Sequence, residues 1–287
     1  MNLLIGSYVS MSKPDYLIGS INESISYGSN CFMIYTGAPQ NSIRTELSKL
    51  NINKFQELLK KNNVDINNVV VHAPYIVNLG SNDKRKHAIS TQTLKTEVYR
   101  TRQIGCKYLV LHPGNATDCS REQAIVNIVN GINAINKMNH DVIICLETMS
   151  GKGSEIGTNF KELSDIINKV NNKSLIGVCL DTCHINDAGY KNNDIDFVLK
   201  NFNDTIGLKY LKVIHLNDSK NDINSHKDRH ENIGYGTIGF NNLLKWAYDK
   251  RLENVPKILE TPWFNNKPMY KLEIECIKNK KWKDYRK

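Results

Sequence analysis

The stretch Val213-Ile-His-Leu-Asn-Asp-Ser-Lys-Asn-Asp-Ile-Asn-Ser-His-Lys-Asp-Arg-His-Glu-Asn-Ile-Gly-Tyr-Gly-Thr-Ile-Gly239 begins as a short apolar run and continues into imidazole and carboxylate side chains. Residues 211–216 are predicted to form a buried strand whose carboxyl end opens into a polar loop. This loop carries Asp228 and His230 two positions apart, so their side chains point the same way if the segment is extended. Two such groups can bind one metal ion, although a solvated loop would look similar in this stretch alone.

Short apolar runs recur along the whole chain, with helix-like segments between them. Eight runs are predicted strands, at residues 3–8, 31–35, 68–72, 108–112, 142–147, 176–181, 211–216 and 257–260. Apolar residues at three- and four-residue spacing predict helices at 48–62, 86–103, 121–137, 160–171, 195–202 and 240–250. This alternation predicts an α/β fold of the (β/α)8 TIM-barrel type. A doubly wound open sheet is the alternative, but the first turn lacks the Gly-x-Gly-x-x-Gly of its dinucleotide-binding form.

Composition limits the class of protein. The chain is 40% hydrophobic and 23% charged, as in globular proteins, and it has no apolar run long enough to span a membrane. Its seven cysteines form no CxxC pair and no signal peptide is visible, so we expect reduced thiols and a cytoplasmic location. The net charge of +9 suits nucleic acid as a partner, although a biased genome can produce the same charge.

The domain organisation is expected to be simple. No linker, low-complexity tract or composition break is visible, so residues 1–287 are predicted to form a single barrel domain. A basic tail at about 278–287 is expected to be a solvated end, with contact to DNA as the alternative. A bowl-shaped monomer is the simplest expectation for the oligomeric state.

An ionisable side chain stands among the last two residues of each predicted strand from the third to the eighth. These residues are His72, His112, Glu147, Asp181, His215 and Glu260. The carboxyl ends of the strands of a TIM barrel converge on one mouth, where the active sites of this fold are built. Six uncompensated groups of this kind would strongly destabilise the protein, so bound metal cations are the simplest explanation.

Three more ligands in adjacent loops, His184, Asp228 and His230, raise the candidate set to nine. Imidazole and carboxylate without thiolate favour zinc or manganese. The set is too large for one tetrahedral ion, but it suffices for two or three ions that keep positions open for water and substrate. Clustered metal ions of this kind typically catalyse displacement at phosphorus, and a phosphodiester also suits the basic charge.

These segments together resemble the endonuclease IV family of apurinic/apyrimidinic endonucleases, which are trinuclear-zinc (β/α)8 enzymes of base-excision repair. The resemblance covers essentially the whole chain. It rests on His-Ala-Pro-Tyr-Ile-Val-Asn-Leu-Gly (72–80), Leu-His-Pro-Gly (111–114), Leu-Glu-Thr-Met-Ser-Gly-Lys-Gly (146–153), Leu-Asp-Thr-Cys-His (180–184), His-Leu-Asn-Asp-Ser-Lys (215–220), Asp-Arg-His-Glu-Asn-Ile-Gly (228–234), Gly-Thr-Ile-Gly (236–239) and Leu-Glu-Thr-Pro (259–262).

The resemblance implies three zinc ions, with manganese as an alternative at one site. The implied ligand sets are His72, His112 and Glu147; Glu147 as a bridge with Asp181, His215 and Glu260; and His184, Asp228 and His230. Glu147 and Glu260 would be catalytic. The implied substrate is double-stranded DNA with abasic sites or blocked 3′ ends. Cleavage 5′ to the abasic site would leave a 3′-hydroxyl and a 5′-deoxyribose phosphate, and the enzyme would also clean 3′ ends.

The resemblance also implies five DNA contacts. Gln40 stands about where one branch of the family has an arginine that enters the base stack, and it would be a shorter, uncharged wedge. Tyr75 matches the other penetrating position, with an ordinary rim aromatic as the alternative. Tyr8 replaces a histidine that is usual in the family and would keep a hydrogen bond. Lys220 and Arg229 flank the metal loop and are expected to contact phosphates, unless they are simply solvated.

Two other functions compete with this interpretation. A sugar isomerase or epimerase on the same barrel also uses strand-end ligands and divalent metals, but it usually needs fewer of both, so His184, Asp228 and His230 would have no role. A DNA-binding scaffold without activity would be expected to have lost ligands, and none is lost. The shared fold alone does not separate these functions.

Overall fold

Eight parallel strands close into a barrel in the computed structural model, which describes residues 3–287. The barrel strands are β1 (Ile5–Tyr8), β2 (Cys31–Tyr35), β3 (Val69–His72), β4 (Tyr108–Leu111), β5 (Ile143–Glu147), β6 (Ile176–Asp181), β7 (Leu211–His215) and β10 (Lys257–Leu259). Strands β1 to β7 are neighbours in chain order, and β10 closes the ring between β7 and β1. The short strands β8 (Asp218–Ser219) and β9 (His230–Glu231) pair as an antiparallel ribbon after β7. The predicted α/β TIM barrel is therefore confirmed.

Nine helices lie between the strands in residues 3–287. They are α1 (Tyr16–Ser26), α2 (Ile52–Lys61), α3 (Lys84–Ile104), α4 (Arg121–Ile135), α5 (Phe160–Lys169), α6 (Thr182–Asp187), α7 (Ile195–Thr205), α8 (Phe240–Tyr248) and α9 (Tyr270–Lys278). All six helices predicted from apolar spacing are present. The predicted start at residue 48 is wrong, because Leu47–Leu50 is a 3-10 turn and Asn51 is left-handed (φ 53°), so α2 begins at Ile52. No helix of the described residues is long and apolar enough to cross a membrane.

A buried ionic cluster fixes the loop between β2 and α2. Glu97 on α3 is 1% exposed at its side chain and accepts hydrogen bonds from Arg44 Nε (2.5 Å) and Thr36 Oγ1 (2.6 Å). The other arm of Arg44 donates to the backbone carbonyls of Asn41 and Ile43, both at 2.9 Å. The loop therefore wraps around one buried guanidinium, which anchors it to α3.

We expect Glu97→Ala to lower the free energy of unfolding by about 3–5 kcal/mol, because removal of one partner of a buried ion pair leaves Arg44 uncompensated. Urea denaturation measures this change. Glu57→Ala is the control, since Glu57 pairs with Lys54 in solvent and its loss should change stability by less than about 0.5 kcal/mol. Equal unfolding midpoints for the two variants would contradict the anchoring role of Glu97.

A buried lysine lies at the opposite end of the barrel from the strand-end ligands. Lys257 is the first residue of β10, is fully buried, and donates a hydrogen bond from Nζ to the carbonyl of Leu252. Burial lowers the pKa of Lys257 to about 8. The unfolded chain therefore binds one more proton than the folded protein between this pKa and the ordinary pKa of lysine, so stability should rise with pH in that window.

Between pH 7 and pH 9 we expect the free energy of unfolding to rise by about 1 kcal/mol more in the wild type than in Lys257→Met, because the variant lacks the depressed ammonium pKa. Urea titrations of both proteins at the two pH values measure the difference, and other titrating groups cancel in the comparison. Lys49→Met, at an exposed lysine, should follow the wild type. Parallel pH profiles for the wild type and Lys257→Met would contradict the prediction.

Candidate metal centre

The six strand-end ligands form the top layer of the barrel interior. Side chains alternate between the two faces of a strand, so a residue two positions before a ligand shares its face. In all six strands that residue belongs to the small cluster that fills the barrel. The pairs are Val70 and His72, Val110 and His112, Cys145 and Glu147, Cys179 and Asp181, Val213 and His215, and Ile258 and Glu260. Strands β4 and β10 end one residue earlier than predicted, so His112 and Glu260 directly follow them.

Glu147 joins the first two predicted ligand sets. Its Oε2 lies 3.1 Å from His72 Nε2 and 3.2 Å from His112 Nε2. Its Oε1 lies 2.9 Å from His215 Nδ1. His72 Nδ1 lies 2.7 Å from the carbonyl of Ala73, which accepts a hydrogen bond from the Nδ1–H and leaves His72 Nε2 free to act as a ligand.

Three carboxylates surround one nitrogen of His215. Its Nδ1 lies 2.8 Å from Glu260 Oε2 and 3.8 Å from Asp181 Oδ2, in addition to the contact with Glu147. Burial alone would raise the pKa of Glu147 and of Glu260, but neighbouring histidines outweigh it. His215 and His112 hold the pKa of Glu147 well below its usual value, and His215 lowers the pKa of Glu260 to about 2. The carboxylates of Glu147 and Glu260 are therefore ionised, and one imidazole proton of His215 cannot neutralise both.

The third predicted set, His184, Asp228 and His230, also comes together. His184 Nε2 lies 3.0 Å from Asp228 Oδ1, and His230 Nε2 lies 3.7 Å from the same oxygen. Asp181 takes part as well, because its Oδ2 is 3.6 Å from His230 Nε2. His230 Nε2 is buried without a hydrogen-bond partner, and its Nδ1 faces the carbonyl of Glu260 at 3.1 Å. An unpartnered ring nitrogen among carboxylates fits a divalent cation.

The loop geometry differs from the extended segment considered for Asp228 and His230. Asp228 is left-handed (φ 55°), and its N–H donates to Asp187 Oδ2 at 2.9 Å. A bend therefore brings the two side chains to the site. Asp181 also accepts from the N–H of His184 at 2.8 Å, so the residue that caps the N-terminus of α6 holds a predicted ligand on that helix in place.

Sequence reasoning named Asp218 among the polar residues of the loop after β7, but it assigned no role to Asp218 or to Asn217, which orient these residues. Asn217 donates from Nδ2 to Asp181 Oδ2 and accepts the N–H of Glu260 at Oδ1, each at 2.8 Å. Asp218 accepts backbone N–H groups from the glycine-rich segment 234–239, which fixes the loop after His230. The only available signal was the position of Asn217 and Asp218 directly after His215 and Leu216.

A cavity of about 610 Å³ opens above the ligands. Seven of the nine ligands line it, and His215 and Asp181 lie beneath them, fully buried. The remaining lining residues are Tyr35, Tyr75, Asn115, Glu155, Lys220, Arg229 and Pro262. Lys220 and Arg229 are exposed and adjacent, since the N–H of Lys220 donates to the carbonyl of Arg229 at 3.0 Å.

The aromatic residues predicted to contact DNA lie on the other side of this cavity. Tyr75 is 57% exposed, stacks on His112 with ring centroids 5.8 Å apart, and accepts a hydrogen bond from the hydroxyl of Tyr35 at 2.9 Å. Tyr8 packs edge-on against Tyr35 at 5.6 Å. Gln40 is exposed and does not line the cavity, but its neighbour Pro39 accepts the N–H of Tyr75. Tyr35 was not among the predicted contacts.

Comparisons with known proteins agree with this geometry. A family model described as a xylose isomerase-like TIM barrel matches residues 21–280. The chain is 51% identical over 284 residues to the probable endonuclease 4 of Malacoplasma penetrans, covering 98% of each protein, and 49% identical over 290 residues to that of Ureaplasma parvum, covering 99% and 96%. It also resembles the crystal structure of endonuclease IV from Thermus thermophilus, with 26% identity, a TM-score of 0.83 and coverage of 96% and 99%.

The sugar-epimerase alternative finds support only in the shared fold. A D-tagatose 3-epimerase-like protein superposes with a TM-score of 0.66, covers 96% of this chain and 99% of its own, and is 20% identical. Three relatives that are 48–51% identical over nearly the full chain are each named probable endonuclease 4. The chain therefore belongs to the endonuclease IV family.

Proposed function

We propose that this protein is a metal-dependent DNA repair endonuclease that cleaves the phosphodiester 5′ to abasic sites, leaving a 3′-hydroxyl and a 5′-deoxyribose phosphate. It would also remove blocking groups from 3′ ends. The observation that carries the proposal is that all nine predicted ligands converge at the barrel mouth, below a cavity with basic residues on its rim. Seven free cysteines are compatible with action in the cytoplasm, and one barrel with one mouth is compatible with a monomer.

The donor set suits zinc at three sites, with manganese at one of them as the alternative. The three sites would use the ligand sets built around Glu147, around His215 and around His230. Divalent cations held there supply positive charge for the phosphate and lower the pKa of water. The unpartnered Nε2 of His230 and the three carboxylates around His215 support this assignment.

Side chains of the protein would carry out the other parts of the proposed reaction. Glu147 and Glu260, fixed by His215, keep their carboxylates ionised at the floor of the cavity. Lys220 and Arg229 would bind phosphates beside the cleaved bond, which positions the duplex without reading its sequence. Tyr75, Tyr8 and Gln40 would contact the helix where the abasic nucleotide leaves it, a step that costs less when no base has to unpair.

A 5′-labelled duplex with one abasic site tests the proposed reaction. We expect one cut, 5′ to the lesion, by the wild-type protein and a loss of kcat/KM of roughly 100-fold or more in His230→Ala, because a metal ligand is removed. Prolonged dialysis against a chelator should abolish cleavage, and added zinc should restore it. Denaturing gels measure the products.

The matched control for that experiment is His140→Ala, since His140 precedes β5 at the far end of the barrel. This variant should cleave like the wild type. A metal-loaded wild-type protein that leaves the abasic duplex intact would overturn the proposed function.

For Tyr75→Ala we expect the KM for abasic duplex to rise roughly tenfold, because an aromatic contact with a base contributes about 1–3 kcal/mol. Hydrolysis of bis-p-nitrophenyl phosphate, which needs no DNA contact, should not change. Tyr99→Ala is the control at an exposed tyrosine of α3. A parallel loss of both activities in Tyr75→Ala would instead assign Tyr75 to the support of His112.

A further inference from the structure

The segment that follows α9 packs back onto the residues that follow His230 and Glu260 in the chain. Tyr285 is 9% exposed, and its hydroxyl donates to the carbonyl of Ile233 at 2.7 Å. The hydroxyl also lies 3.3 Å from the buried carboxylate of Glu273, which accepts the N–H of Ile233 at 3.0 Å. The basic tail expected from the sequence is thus tied to the loop that begins at His230.

Arg286 makes the most extensive contacts of this segment. Its guanidinium lies between two aromatic rings, 4.2 Å from the centroid of Tyr235 and 4.8 Å from that of Phe264. It pairs with the carboxylate of Glu231 and donates from Nε to Asn232 Oδ1 at 3.1 Å. The side chains of Arg286 and Glu231 are only 20% and 14% exposed, so solvent screens this pair weakly.

These contacts join the two loops that carry His230 and Glu260. Glu231 and Asn232 directly follow His230, and Phe264 lies four residues after Glu260. Asn232 Nδ2 also donates to the carbonyl of Pro262 at 2.9 Å. Arg286 therefore closes a bridge between the loop after β9 and the loop after β10.

We propose that Arg286 is a positioning residue of the metal centre, which clamps these two loops together and so fixes His230 Nε2 relative to the Glu260 carboxylate. The consequence for metal binding rests on the proposed function. Arginine suits the task because one planar group can donate two hydrogen bonds and stack on two rings at once. Arg286 pairs with Glu231, Lys283 with Glu275 and Lys287 with Asp284, so three basic side chains of this segment are paired with carboxylates.

Two measurements on the full-length metal-loaded protein test the clamp. Hydrogen exchange reports the opening of residues 231–235, and a chromogenic chelator reports the rate at which metal is released. In Arg286→Gln we expect two rates to be roughly tenfold higher: that of hydrogen exchange in residues 231–235 and that of the release of one metal ion. The reason is that the variant loses charge-assisted hydrogen bonds. Arg251→Gln is the control, because Arg251 pairs with Asp249 and Asp196 on the surface before β10, and it should match the wild type.

Glu231→Gln separates the clamp from general destabilisation. If Arg286 acts through Glu231, hydrogen exchange and metal release in the double variant should be faster than in the wild type by less than the product of the two single-variant increases. The proposal would be overturned if Arg286→Gln exchanged hydrogen and released metal at the wild-type rates. It would also be overturned if Arg251→Gln showed the same acceleration as Arg286→Gln. A wild-type protein that holds metal but does not cleave abasic DNA would refute the proposed function, while hydrogen exchange would still decide the role of Arg286.

Discussion

The compensation of buried negative charge at the barrel mouth is the constraint on which the rest of the structure depends. Glu147 is buried, and its two oxygens meet four imidazoles, those of His72, His112, His184 and His215. Three more carboxylates stand within the same group of side chains. Such charges are stable in a fold only when each one is paired or bound to a cation. The mouth therefore has ionisable side chains where the rest of the barrel interior is apolar.

Charged or polar side chains with several partners anchor the loops around this mouth. Glu97 holds the loop that carries Gln40 through Arg44. Asp218 holds the glycine-rich loop by accepting its backbone N–H groups. Arg286 joins the loops after β9 and β10. Each anchor is a single side chain with several partners, which fixes a loop more sharply than apolar contacts of similar size would.

Much of this arrangement could be predicted from the sequence, because strand period and chain topology act together. A ligand at the end of each strand must face the mouth once the strands close in order, so His72 and Glu147 could be grouped although 75 residues separate them. Contacts that depend on loop conformation could not be predicted. The left-handed bend at Asp228 and the return of Arg286 to Glu231 follow from tertiary packing and leave no periodic signal.

The rim of the cavity separates two kinds of side chain to which the proposed function assigns contact with DNA. Tyr75 follows β3, whereas Lys220 and Arg229 adjoin the ribbon after β7, and β3 and β7 are diametrically opposite in a ring of eight strands. Phosphate contacts from the basic side position a duplex without reading its sequence, and stacking from the aromatic side tolerates any base. Under the proposed function, selectivity must therefore come from what can enter the cavity between the two sides. A nucleotide without a base meets that condition most easily, because it gives up no pairing or base stacking to leave the helix.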